Sequence, residues 1–219
     1  MRAGATRPAS ITTVTSRGAE LPMTTESMTA GQLGRRSRLA ETVIEMLHEM
    51  EPDRIQMREV SERSGVALGT LYRYFPTKQQ LLAAAMLGWN NRLSEKLKAE
   101  RRAPGPKDDS SICERVLGLY RREMRAFQRG PHFARLEIEL FSSTDEYVIE
   151  TLDQRAAANR GALFDLLEGV PPETARVASL AIGGTMFTAL TSWTSGRISF
   201  AEALRNVEDV IRLVLADYA

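Results

Sequence analysis

From about residue 39 to the end of the chain, apolar residues recur at spacings of three and four. Nowhere do they alternate with polar ones over the length of a strand. That periodicity leaves an all-α fold. Leu39, Val43, Met46, Leu47 and Met50 form the first stripe, which Pro52 stops. A short helix follows at about 57 to 64, broken by Gly65, and a second runs from about 68 to 75, up to Pro76. Thr77 with Gln80 reads as a capping box opening a long helix whose inner face is Leu82, Met86, Trp89, Leu93 and Leu97; Ala103-Pro104-Gly105-Pro106 ends it. Ser111 with Glu114 opens the next, striped by Ile112, Val116, Leu119, Tyr120, Met124 and Phe127 and closed by Gly130-Pro131. A short apolar helix spans roughly 131 to 142. Ser143 with Glu146 starts a long one that Gly169 and Pro171-Pro172 terminate, and two more cover about 173 to 195 and 199 to 217. Nine helices are expected, the shortest of them near the N-terminus.

Residues 1 to 30 show neither period and are rich in Thr, Ser, Ala and Gly, which predicts a disordered tail. No apolar run follows Arg2, Arg7 or Arg17, so no secretory signal is expected, and Met23 or Met28 are alternative starts. The single cysteine, Cys113, excludes an internal disulfide and suits a reducing cytoplasm. His48 and His132 have no ligand spacing between them, so neither a metal nor a cofactor is expected. The formal charge of +1 does not announce a nucleic-acid partner. It hides an asymmetry: through residue 131 there are 22 basic and 15 acidic side chains, net +7, and after it 7 and 13, net −6.

Function is carried by residues 57 to 82, MREVSERSGVALGTLYRYFPTKQQLL. A helix-turn-helix needs a small residue where its helices cross, a residue tolerant of positive φ in the turn, and an apolar anchor on the second helix. Ser61, Gly65 and Leu71 meet those needs, with Val60, Val66 and Phe75 as apolar seats. Within this segment the run Gly69-Thr70-Leu71-Tyr72-Arg73-Tyr74-Phe75-Pro76-Thr77-Lys78-Gln79-Gln80-Leu81 resembles the DNA-binding signature of the TetR family of transcriptional regulators. The resemblance implies a nine-helix architecture: a three-helix DNA-binding domain over residues 31–80 and a helical ligand-binding and dimerisation domain over 81–219. Three positions depart from the family pattern: Ala67 where Ser commonly caps the recognition helix, Met57 where Thr commonly caps the helix before it, and Ser61 in place of Ala.

A short helix fits the major groove and meets base edges with its first turn, here Leu68, Gly69 and Thr70. Tyr72, Tyr74 and Lys78 offer hydroxyl and ammonium donors to phosphate, the role the family resemblance also implies for them. Arg58 and Arg73 are further candidates. Residues 64 to 80 contain Arg73 and Lys78 and no acid. Arg35, Arg36 and Arg38 form a second basic cluster, placed just before the first helix, where the resemblance implies an arm reaching into the minor groove. With near-zero total charge, a single subunit should bind random DNA weakly and depend on dimerisation and a matched site.

In the last helix Phe200, Leu204, Val207, Ile211, Val214 and Tyr218 stand at alternating spacings of four and three, a heptad-like seam opened by Ser199 and Glu202. Residues 177 to 196 carry no charge; they are too polar and too rich in Gly for a membrane span and suit burial by both their own domain and a partner subunit. Gly183-Gly184 in their middle cost helix stability, which points to a close approach or a pocket. The family resemblance makes these two helices a homodimer interface, hence a palindromic operator of double-stranded DNA. It also implies an effector cavity, for which the candidates are Trp89, Tyr120, Met124, Phe127, Phe133, Leu140, Phe141, Phe187 and Trp193. An apolar lining favours a hydrophobic effector. The stretches QMREVSERSGVALGTLYRYFPTK and MRAFQRGPHF further resemble actinobacterial repressors of cholesterol and steroid catabolism, which implies a sterol-derived or acyl-CoA ligand.

The reading is a repressor released by its effector, with a ligand-independent activator or architectural DNA-binding protein as the alternative. An enzyme is disfavoured: there is no nucleophile and base pair or phosphate-cradling loop, and Glu137 and Glu139, two apart on a helix, point to different faces.

Overall fold

The computed structural model describes residues 27–102 and 110–219, with side chains left undescribed over 97–102. The expected disordered tail, up to residue 26, the Ala103 to Pro106 terminator and the inward face of Leu97 lie outside the described residues. Among those described there are nine α-helices and no strand: α1 Ala30–Glu49, α2 Met57–Ser64, α3 Leu68–Tyr74, α4 Lys78–Arg102, α5 Ile112–Arg129, α6 Pro131–Phe141, α7 Glu146–Leu166, α8 Pro172–Thr194 and α9 Phe200–Val214. No helix among them is long and apolar enough to cross a membrane.

The first helix starts well before its apolar stripe. Thr29 accepts a hydrogen bond from the Gln32 amide while the Gln32 side chain accepts one from the Thr29 amide, a complete capping box. Arg35, Arg36 and Arg38 therefore lie on α1 and not on an arm before it. Two other starts are corrected. Gln56, not residue 57, is the cap position of α2, and Met57 is its first helical residue. Helix α7 is capped by Asp145, whose Oδ1 accepts from the amides of Tyr147 and Val148 at 3.0 and 3.2 Å; the Ser143 hydroxyl instead accepts from the Asp145 amide at 3.3 Å. Thr77 caps α4 as expected, accepting from the Gln80 amide at 3.2 Å, but the Gln80 side chain does not return the bond.

The buried side chains form one continuous core from α1 to α9. At the N-terminal end Leu39, Val43 and Leu47 of α1 meet Val60 of α2 and Leu71 and Phe75 at α3, all fully buried. Removing a ring such as Phe75 should cost about 3–5 kcal/mol. Helix α4 joins the two halves, packing on α1 by one side and on α7 by the other. Helix α9 lies along α8 and α5. Its seam faces this core: Val207 and Ile211 are fully buried, and Phe200, Leu204 and Val214 are partly buried against the same cluster. The seam is thus a core stripe of its own subunit and not an open dimer face, because a single α9 face must cover both α5 and α8. The outer face of α8 leaves Val177, Gly184 and Thr188 exposed with Ala181 half-buried among them, and Leu213 is exposed on α9.

Candidate nucleic-acid interface and ligand cavity

Gly65 ends α2 in the left-handed region, at φ 66°, and so turns the chain into α3. Around the turn the Ser61 hydroxyl donates to the Val66 carbonyl at 2.7 Å, and the Val66 amide donates to the Ser64 hydroxyl at 3.3 Å. Helix α3 is seated by Leu71 and Tyr74, both fully buried, and by Phe75 beyond its end. Its outer side presents Ala67, Gly69, Tyr72 and Arg73, with Leu68 and Thr70 half-buried at its start. Tyr72 keeps 47% of its surface exposed. No acidic residue stands in its first turn and no side chain caps it, so its N-terminal amides and positive dipole end are open toward an anion. A Cβ on Gly69 would meet nothing within 4 Å, so no neighbour within the fold requires a glycine there.

Two candidates for DNA contact are corrected. Tyr74 is wholly buried, and its hydroxyl accepts from Arg35 Nε at 3.4 Å, so it braces α3 against α1. Burial alone would raise its phenol, but hydrogen bonds from Arg35 and Arg73 bring it below the ordinary value. Arg36 is half-buried, with its guanidinium 4.8 Å above the Phe75 ring and donating from Nη2 to the Tyr147 hydroxyl of α7. It ties α1 to α7 and is not free to enter a groove. Arg35, Arg38, Arg58 and Arg73 are exposed, Arg58 3.9 Å from Glu62. Lys78 Nζ donates to the Asp53 carbonyl at 2.8 Å, and burial lowers its pKa against the pull of Glu139 and Asp53.

The second site is an open-mouthed cavity of about 740 Å³ bordered by α5, α6, α7 and α8, within the usual range for small-molecule sites. Of the residues expected to line it, Tyr120, Phe127, Leu140, Phe141 and Phe187 do. Trp89, Met124, Phe133 and Trp193 do not. Trp89 stacks on Phe133 with ring centres 4.6 Å apart, Met124 is fully buried in the core, and Trp193 meets Phe200 edge-on at 5.2 Å. All four sit on helix faces turned toward other helices. Gly183 and Gly184 border the cavity, and added Cβ atoms there would meet nothing within 4 Å. The rim carries Phe141, Ile149, Phe164 and Leu180, all exposed, together with Arg160 and Arg176.

Sequence reasoning missed the polar part of the lining. Glu123 of α5, Glu137 of α6 and Arg155 of α7 all face the cavity, and Arg155 pairs with Glu137. Burial pushes the Glu123 carboxyl up to about 7, opposed by the Arg155 charge and reinforced by that of Glu137. A signal was available: Glu123 falls three after Tyr120 and four before Phe127 on an otherwise apolar stripe, and Arg155 interrupts the stripe of Val148, Leu152 and Leu163.

The cavity reaches the DNA-binding part through the α6–α7 turn. Ser143, which borders the cavity, donates to Gln79 Oε1 at 3.0 Å, and Gln80 Nε2 donates to Asp145 Oδ2 at 3.0 Å. Alongside these, His132 Nδ1 of α6 lies 2.9 Å from the Leu47 carbonyl of α1.

A short exposed helix seated on a helix-turn-helix base, in an all-α chain, defines a helix-turn-helix transcription regulator. Residues 43–85 match the sequence profile described as bacterial regulatory proteins, tetR family. Beyond that segment the chain is similar to KstR repressors over most of its length. It is 28% identical over 192 residues to the HTH-type transcriptional repressor KstR of Rhodococcus jostii, covering 85% of each, and 26% identical over 196 residues to KstR of Mycobacterium tuberculosis, covering 85% of this chain and 83% of that one. Among solved structures, a TetR transcriptional regulator from Rhodococcus sp. RHA1 superposes with a TM-score of 0.70 at 28% identity, over 85% of this chain and 97% of the other. FadR from Bacillus subtilis in complex with stearoyl-CoA, at 17% identity, shares the fold with a TM-score of 0.63 over 82% of this chain and 97% of the other. The matched profile and the repressor relatives support a DNA-binding transcriptional repressor and not an enzyme.

Proposed function

We infer that the protein is a cytoplasmic homodimer that represses transcription from a palindromic operator and is released by a hydrophobic effector. Residues 31–80 are read as the DNA-binding unit and 81–219 as the effector and dimer unit. The observation that carries this is the pair of hydrogen bonds linking the first turn of α4 to the turn that borders the cavity, Ser143 donating to Gln79 and Gln80 donating to Asp145. A ligand that displaces the Phe141 to Ser143 segment moves the start of α4, and with it the spacing of the two recognition helices. Such a shift requires the effector to bind the non-operator form more tightly.

The proposed DNA contacts are Leu68, Gly69 and Thr70 toward bases, and Tyr72, Arg73, Arg58, Arg38 and Lys78 toward phosphate, with Arg35 held beside them by Tyr74. Dimerisation is assigned to the uncharged outer face of α8 together with α9. The effector is an apolar molecule; sterol-derived ligands and acyl-CoA both suit the lining, and the FadR relative holds stearoyl-CoA within the same fold.

Selection of duplexes from a random pool tests the reading. It should return an inverted repeat with half-sites about one helical turn apart, or a small multiple of it. Tyr72→Phe and Arg73→Gln should weaken binding to every sequence alike, and Arg73→Gln should lower the salt slope by about one per half-site. Recovery of no symmetric site, or of operator complexes that no apolar ligand dissociates, overturns it.

A further inference from the structure

The cavity has an apolar body and one polar end. Tyr120, Glu123, Glu137 and Arg155 line one part of it, on three different helices, whereas the rim is made by exposed Phe141, Ile149, Phe164 and Leu180 together with Arg160 and Arg176. Arg155 is only 7% exposed. It spends Nη1 on Glu137, and its Nε, fully buried, has no hydrogen-bond partner. A buried guanidinium donor without an acceptor is costly, and such groups mark a place where a ligand atom or water completes the set.

The charge arithmetic narrows the ligand. Two carboxyl groups share one arginine, and Glu137 already occupies it. A ligand carboxylate placed at this end would put a third acid on the one cation there, Arg155, at a partly buried position where like charges repel. An ether or ketone oxygen could accept from Arg155 Nε but would leave Glu123 without a donor. An amine could donate to Glu123 but would leave the guanidinium without an acceptor. A hydroxyl does both, donating to the Glu123 carboxylate and accepting from Nε–H. The raised Glu123 pKa agrees, since a carboxyl exchanging its proton near neutrality keeps the cluster close to electrically balanced.

We propose that Glu123 and Arg155 form a subsite for the hydroxyl of an otherwise apolar alcohol, which enters hydroxyl first, and that this subsite rejects a free carboxylate. The assignment rests on the reading of the cavity as an effector site and makes that reading specific. An acyl chain entering methyl end first would leave both groups unpaired, so a plain fatty acyl thioester is the poorer fit.

The test is calorimetric titration of the full chain with decan-1-ol, sodium decanoate, decane and a 3β-hydroxysterol at pH 7.5. Decanol should bind about tenfold or more tightly than decanoate, the sterol reports whether a rigid skeleton is also accepted, and decane should bind more weakly than decanol. Glu123→Gln, which keeps size and hydrogen bonding but removes the negative charge, should narrow the alcohol-to-acid ratio severalfold, with circular dichroism confirming the fold. Glu123→Leu should bring decanol down to the level of decane. Decanoate binding as tightly as decanol, or Glu123→Leu leaving the preference intact, overturns the hydroxyl subsite and leaves the effector cavity standing. Failure of all four ligands to bind overturns the apolar-effector reading and the subsite with it.

Discussion

Gln80 donates from Nε2 to Asp145 Oδ2 over 3.0 Å, while the other oxygen of the same carboxylate caps α7. One side chain thus holds the start of α7, beside the cavity, and the first turn of α4, the helix that follows α3. Gln80 is fully buried and Asp145 half-buried, so the bond is screened by water and salt less than a surface pair would be.

Asp145→Ala should lower stability by about 1–3 kcal/mol, combining a lost helix cap with an unpaired buried amide. Gln80→Met, which removes the amide from the α4 side, should leave the α7 cap and operator affinity close to wild type while raising the effector concentration needed for release. Denaturant melts and release titrations on a labelled operator separate the two effects. Full effector response in Gln80→Met would remove this pair from the coupling.

Two glycines five residues or less from one another in the motif should respond in opposite ways. Gly65 needs its positive φ, and although a Cβ there would meet nothing, Gly65→Ala should cost about 1 kcal/mol or more through backbone strain alone. Gly69 has helical φ and open space, so Gly69→Ala should be neutral or up to about 1 kcal/mol stabilising, yet weaken operator binding by holding the backbone off the groove. Thermal melts and gel shifts on both variants check the contrast.

Folding stability should fall as pH rises through the range in which Glu123 loses its proton. Its carboxyl titrates near 7 in the folded protein and in the ordinary carboxylate range when unfolded. Between about pH 4.5 and 7 the folded state holds more protons, so each unit of pH removes stability, by roughly 3 kcal/mol in all, and the loss levels off above 7. The groups facing it are Tyr120 on α5, Glu137 on α6 and Arg155 on α7. Glu123→Gln should flatten that slope and be the more stable protein at pH 8; an unchanged slope in urea melts from pH 5 to 8 would contradict the assignment.

Mutations on α8 and α9 should separate assembly from folding. Val207→Ala, in the core, should cost about 1–3 kcal/mol and leave the oligomeric state alone. Thr188→Arg, on the exposed outer face of α8, should leave the monomer's stability near wild type and abolish the proposed dimerisation. Sedimentation velocity and denaturant melts read the two outcomes; a monomeric Val207→Ala with normal stability would return the interface to the α9 seam.

The sequence by itself determined the helices and the DNA-reading motif, because both are local. Stripes at three and four, capping pairs such as Thr29–Gln32 and Ser199–Glu202, and a glycine at the αL position act within a few residues. Tertiary structure decided which face of each helix is spoken for. Tyr74 and Tyr72 are both aromatic donors in one motif, yet α1 and the core bury the first and leave the second outside. Val207 and Ile211 look like a dimer seam, but α5 and α8 of the same subunit cover them, leaving the outer face of α8 open. Glu123, Glu137 and Arg155 lie far apart along the chain and meet only because three helices converge on one cavity. A spacing rule sees one helix at a time; burial and charge pairing depend on what the neighbouring helices bring, and that is where the chemistry of the cavity is set.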